Sequence, residues 1–187
     1  MIAMIRKSQR AIPSTIGLCA ILVAAMALFN SNGLHAQGYT MNPLVADLSG
    51  VAANTDANLV NAWGMALLPN DMLVVNANEN DVAGLYTTDG QVTGNYIEVD
   101  SAPSGLVVNK TGGFKVSDGG KARASDLIFV TEEGTILGWN SSLASPTAVV
   151  AVDDSDFGAL YKGAAMLGGR LYAADFRNGV VNVYDSK

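Results

Sequence analysis

From about Asn42 onward, apolar residues alternate with polar ones or come in runs of four to six, and Gly, Asn and Asp separate the runs. That is the pattern of short strands joined by tight turns, and it predicts an all-β chain. "DMLVVNANENDVAGLYTTDG" reads as strand, turn, strand, turn, as do "DLIFVTEEGTILGWNSS" and "RLYAADFRNGVVNVYDS". The three segments align. Leu73, Leu127 and Leu171 open the first strand of each pair, and Tyr86, Trp139 and Tyr184 stand near the end of the second. Upstream of each lies a strand of small residues: Trp63–Leu68, Ser104–Val108 and Lys162–Leu167. Their glycines Gly64, Gly105 and Gly163 are 41 and 58 residues apart. Such spacings suit propeller blades of roughly 40–50 residues, the longer one carrying an insertion. Small residues suit an innermost strand, where backbones approach closely. A fourth, outer strand is visible at Gln91–Asp100 and Pro146–Asp153. Asn109–Ser125, rich in Gly and Lys, is expected to be a long loop or a small extra hairpin. The predicted architecture is therefore an all-β propeller segment of about three four-stranded blades. A β-sandwich of short strands also fits the alternation, but it does not explain the ordered threefold recurrence.

The first 36 residues stand apart. Arg6, Lys7 and Arg10 precede an apolar core at Ile16–Phe29, and Leu34–Ala36 ends in a small residue. This order predicts a signal peptide with cleavage after Ala36, leaving residues 37–187 as a partial propeller domain. An uncleaved N-terminal anchor is the rival reading. Cys19 follows Leu18 inside the apolar core, which does not suit a lipid anchor.

Charge and composition narrow the function. Cleavage would remove three of the 11 basic residues, leaving 8 against 17 acidic ones, a net charge of −9. Nucleic acid, which needs a basic surface, is not an expected partner. Cys19 and His35, the lone cysteine and histidine, both lie in the leader. A processed chain would have no disulfide, thiolate zinc site, cysteine nucleophile or Ser-His-Asp triad. No apolar run after the leader reaches spanning length, so no membrane span is expected there.

The stretches "TDANLVNAWGMALLPNDMLVVNANENDVAGLYTTDG", "GGKARASDLIFVTEEGTILGWNSSL" and "YKGAAMLGGRLYAADFRNGVVNVYD" resemble an uncharacterised family of secreted bacterial proteins often met in genomes that use PEP-CTERM sorting. More distantly the chain is similar to NHL-repeat and gluconolactonase-like six-bladed propellers. The resemblance covers Asn42–Tyr184 and implies a secreted propeller of about twice this length. It carries no catalytic residues with it. Three blades cannot close a ring, since rings need four to eight. The expectation is therefore a truncated product, or a homodimer whose halves complete six blades, with "NPLVADL" at Asn42–Leu48 filling an outer-strand vacancy.

Candidate chemistry sits in turns. Asn76–Asp81, Thr131–Gly134 and Asp175–Gly179 would ring one mouth together with the entering loops, including Asp153–Lys162. Oxygen donors from Asn78, Glu132, Asp153 and Asp175 would then converge, and hard cations such as Ca2+ take six to eight oxygens. Gluconolactonase-like propellers hold a divalent cation in this place. The same residues are also what tight turns demand, because Asn, Asp and Gly tolerate positive φ. Glu132 and Glu133 would point to opposite faces if extended, unlike a glycosidase pair. Gly112, Gly113, Gly119 and Gly120 lack the spacing of a phosphate loop. Trp63 and Trp139 could stack on a sugar, though Trp63 is expected to pack between blades. The function these features predict is a secreted module of the cell envelope or exterior that binds a small molecule or a protein. The alternative is a divalent-metal-dependent hydrolase of the lactonase kind.

Overall fold

The computed structural model describes residues 38–186; the predicted signal helix, with Cys19 and His35, lies outside them. The compact unit begins at Asn42. It opens with two short strands, β1 (Val45–Ala46) and β2 (Asn54–Thr55), paired in parallel. Sheet one follows as β3 (Ala62–Leu67), β4 (Met72–Ala77), β5 (Val82–Thr87) and β6 (Val92–Glu98), each pairing antiparallel with the next. Sheet two starts with β7 (Pro103–Val108). A small hairpin, β8 (Lys115–Val116) with β9 (Arg123–Ala124), is inserted within Asn109–Ser125, as the sequence predicts. β10 (Leu127–Thr131), β11 (Thr135–Trp139) and β12 (Val149–Asp153) then complete the order β7-β10-β11-β12. Sheet three has β13 (Tyr161–Leu167), β14 (Arg170–Asp175) and β15 (Val180–Asp185).

The chain is all-β, and its three main sheets share one strand order. No closed ring or barrel forms among the described residues. "NPLVADL" does not fill an outer-strand vacancy in sheet three. Its Val45–Ala46 pairs with β2 instead, and Leu44 lies against Gly90 of sheet one.

Sheet two lies between the other two, and β10 shows why its sequence reads "LIFVT". Successive side chains on a strand point to opposite faces. Leu127 and Phe129 join Val74, Ala83, Ile97, Leu106 and Leu137 in a core with sheet one. Ile128 and Val130 join Ile136, Tyr161, Leu171 and Ala173 in a second core with sheet three. All five β10 residues are buried, so an unbroken apolar run replaces alternation. Burying each large side chain contributes roughly 1.5–3 kcal/mol.

The inner strands β3, β7 and β13 meet through small residues. A Cβ at Gly64 would lie 2.5 Å from Ser104 O and 2.9 Å from Leu106 N. One at Gly105 would lie 2.8 Å from Ala164 N. No other residue lets two backbones come this close. Asn76, fully buried on β4, reaches across the same junction. Its Nδ2 lies 3.4 Å from both Ser104 O and Gly105 O. Its Oδ1 has no partner among the described residues.

Candidate functional site

In each sheet one residue precedes the inner-strand glycine: Trp63, Ser104 and Lys162. Because β3, β7 and β13 run side by side, all three border one shallow groove of about 420 Å3. Ser104 forms its floor. It is buried, and its Oγ lies 2.6 Å from Tyr161 O and 3.1 Å from Val130 O, tying sheet two to sheet three.

Around the mouth of the groove five side chains close a loop of contacts. Trp63 Nε1 donates to Asn61 Oδ1 at 3.0 Å, and Asn61 Nδ2 donates to Asn78 Oδ1 at 3.0 Å. Asn78 Nδ2 donates to Glu132 Oε1 at 3.4 Å and to Pro103 O at 3.3 Å. Lys162 Nζ lies 2.5 Å from the same Glu132 oxygen and 4.5 Å from the centre of the Trp63 ring. The loop spans all three sheets: Asn61, Trp63 and Asn78 from the first, Glu132 from the second and Lys162 from the third. Lys162 and Glu132 are about 30% exposed, so solvent screens the ion pair to roughly 0–1 kcal/mol. The ammonium over the Trp63 ring adds about 0.5–1 kcal/mol. The site is thus locally neutral, with amide groups beside an indole that is 41% exposed. Trp63 was expected between blades. It stands instead at the mouth, with its Nε1 bound to Asn61.

Of the four oxygen-bearing residues read from the turns, two meet here. Asn78 and Glu132 are in contact, but the Glu132 oxygen that faces Asn78 is already shared with Lys162. Asp175 lies at the same end of the sheets, opposite Tyr161 in register, and is buried. Burial pushes its carboxyl up, but donors from Asn178, Leu160 and Arg177 outweigh that and hold it below its ordinary value. Those from Asn178 Nδ2 and Leu160 N lie at 2.8 and 3.2 Å. Asp153 pairs with Thr135 at the end of β12 and is exposed. Its Oδ1 accepts from Ser155 Oγ at 2.6 Å and Ser155 N at 3.0 Å, which lowers its pKa. Among the described residues, no group of three or more His, Cys, Asp or Glu is placed to hold a metal ion.

Two further clusters escaped sequence reasoning. Asp56, buried, accepts from Tyr86 OH at 2.7 Å and from Tyr96 OH at 2.9 Å. Asp154 accepts from Tyr161 OH at 2.7 Å and Tyr184 OH at 2.6 Å. Each aspartate clasps a lead-in segment to its sheet. Burial, and then the carboxylate partner, push the Tyr86 and Tyr184 hydroxyls far above the ordinary value of 10.0. Trp139 holds the equivalent position in sheet two, and its buried Nε1 has no partner among the described residues.

Compared with families of known proteins, the chain matches none. Its curated relatives include two uncharacterised proteins of Acanthamoeba polyphaga mimivirus. One is 27% identical over 93% of this chain and 45% of its own length. The other is 25% identical over 79% of this chain and 41% of its own length. A third protein of the same virus is 35% identical over 40% of this chain. The chain thus spans less than half the length of these relatives. They correct the resemblance to a secreted bacterial family: the relatives found are viral, and no family match supports an NHL-like assignment. Among solved structures, the computationally designed Ika4 protein is similar, with a TM-score of 0.44 and 12% identity over 67% of this chain and 66% of that one.

Proposed function

We propose that this chain is an exported, non-catalytic binding module. In this reading its three sheets are consecutive blades of a propeller, and its ligand is met at the mouth formed by Trp63, Asn61, Asn78, Glu132 and Lys162. The observation that carries the reading is the closed loop of contacts across three sheets. Residues far apart in sequence converge on one neutral, indole-bearing surface, and a binding site on a rigid scaffold needs such convergence. The blade reading rests on the shared strand order and on the backbone approach at Gly64 and Gly105. Export rests on the Arg6–Ala36 pattern.

The half-exposed Trp63 supplies the assay. Titration with uncharged oligosaccharides and with short peptides should shift the indole emission of the wild-type chain saturably, and Trp63→Phe should abolish the shift. A calcium titration belongs in the same experiment. Stabilisation that grows as ln(1 + [L]/Kd) with Ca2+, and is lost in Glu132→Gln, would favour the metal-dependent hydrolase instead. No shift with any ligand class would remove the mouth as a binding site.

A further inference from the structure

The turn between β14 and β15 places a reactive amide and a structural latch in one side chain. It reads Phe176-Arg177-Asn178-Gly179. Among the described residues, Asn178 is the one asparagine followed by glycine. Its Nδ2 donates to Asp175 Oδ2 at 2.8 Å and to Phe157 O at 3.4 Å. Its backbone N–H donates to Asp175 Oδ1 at 3.2 Å. That same Oδ1 accepts from Leu160 N at 3.2 Å, and Leu160 O accepts from Phe176 N at 2.8 Å. One side-chain amide therefore ties the short turn Ser155–Phe157 to the hairpin turn across the buried Asp175. Leu160 stands two residues before Lys162, so the latch borders the mouth. The next backbone nitrogen is open. Gly179 has φ +67°, and nothing lies within 4 Å of where its Cβ would stand. Among the described residues no turn hydrogen bond engages its N–H.

We propose that Asn178 is a self-modification site: the Gly179 nitrogen displaces the side-chain amide of Asn178, and the carboxylate that results releases the latch at Asp175. Hydroxide takes the proton from Gly179 N, which bonds to Asn178 Cγ. The Cγ–Nδ2 bond breaks, and the nitrogen leaves as ammonia with a proton from water. The five-membered imide then takes up one water and opens at either carbonyl, to aspartate or isoaspartate. Water and hydroxide are the only co-reactants. Glycine favours the attack because it has no side chain to shield the nitrogen or restrict its backbone. The product undoes each contact of the latch. A carboxylate has no hydrogen to donate, so Phe157 O and Asp175 Oδ2 both lose their partner. It also brings a second negative charge to within hydrogen-bond distance of a buried one, and the two repel. The segment Ser155–Leu160 is then held by fewer bonds on its way into β13.

Ageing the full chain in mildly alkaline buffer, followed by peptide mapping, tests the chemistry. Asn178 should gain the mass of an amide exchanged for an acid about fivefold or more faster than any other described asparagine, with aspartyl and isoaspartyl forms both present. Gly179→Ala should slow that gain about tenfold. Hydrogen exchange tests the latch. In Asn178→Asp the Leu160 amide should exchange about fivefold faster than in the wild-type chain, with the Ala173 amide unchanged. Asn178→Ala removes the donor without adding charge and should raise Leu160 exchange by less. The aged wild-type chain should show the same change in proportion to its converted fraction, which reads the latch without any substitution. Conversion of Asn178 no faster than that of Asn140, or Leu160 exchange unaltered both in Asn178→Asp and in the converted chain, would overturn the proposal.

Discussion

The first and third sheets share a strand order but differ in what covers them. Leu44, Val45 and Leu59 of the lead-in face Met65, Leu73 and Val75 of sheet one. Asp56 binds that lead-in to Tyr86 and Tyr96 from a buried position. Sheet three has no such cover among the described residues, and Val181 and Val183 stand 61% and 50% exposed. Its aspartate clasp is Asp154, which is only half-buried. The same hairpin unit is thus covered at sheet one by a segment from outside it. What differs is the segment supplied from outside the hairpins, not the hairpins themselves.

The largest expected contrast is at the inner strands. Gly64→Ala would place a methyl group 2.5 Å from the Ser104 carbonyl oxygen, where backbone must move. The expected loss is about 3 kcal/mol in denaturant melts. Gly163→Ala meets nothing within 4 Å and should be neutral to within about 0.5 kcal/mol. Equal costs would mean that the close approach at Gly64 does not limit what the position can hold.

The clasps give the next contrast. Asp56→Ala strands two tyrosine hydroxyls at a buried site, and about 2–3 kcal/mol should be lost. Asp154→Ala lets water replace the carboxylate and should cost about 1 kcal/mol. A larger cost at Asp154 would reverse the order of the two ends.

The smallest effect is alkaline. Tyr86 keeps its proton in the folded state after an unfolded chain, with its ordinary value of 10.0, has lost it. Its contribution is therefore complete below pH 10 and declines as pH rises above that value. The decline should approach at most about 1.4 kcal/mol per pH unit. Melting followed from pH 9 to 11 should show it, and Tyr86→Phe and Tyr184→Phe should each flatten the slope to a similar extent, because both hydroxyls are held far above their ordinary value.

The repeat was legible because each hairpin is local. Alternation and turn residues place β6 within Gln91–Asp100 and β12 within Pro146–Asp153, and the Gly- and Lys-rich insertion is the β8–β9 hairpin. Cross-sheet features were not legible. Asp153 and Asp175 read as convergent donors, yet each is satisfied by residues of its own turn, as Asp in a turn commonly is. Lys162 was missed, although the aligned glycines mark it: the residue before each glycine is Trp63, Ser104 or Lys162. The Asp56 and Asp154 clasps join a lead-in to strands up to 40 residues away, a distance no periodicity reports. The family resemblance rested on strand-and-turn motifs alone, and the viral relatives correct it.

The strand order also bears on how the molecule forms. Every main sheet is assembled from neighbours in sequence, apart from the short excursion of β8 and β9. Hairpins close in microseconds, and units that touch only their neighbours fold by propagation. During synthesis the lead-in and sheet one emerge first and can seal each other before sheet two exists. Folding of this chain should therefore be vectorial, each sheet ordering on the one made before it.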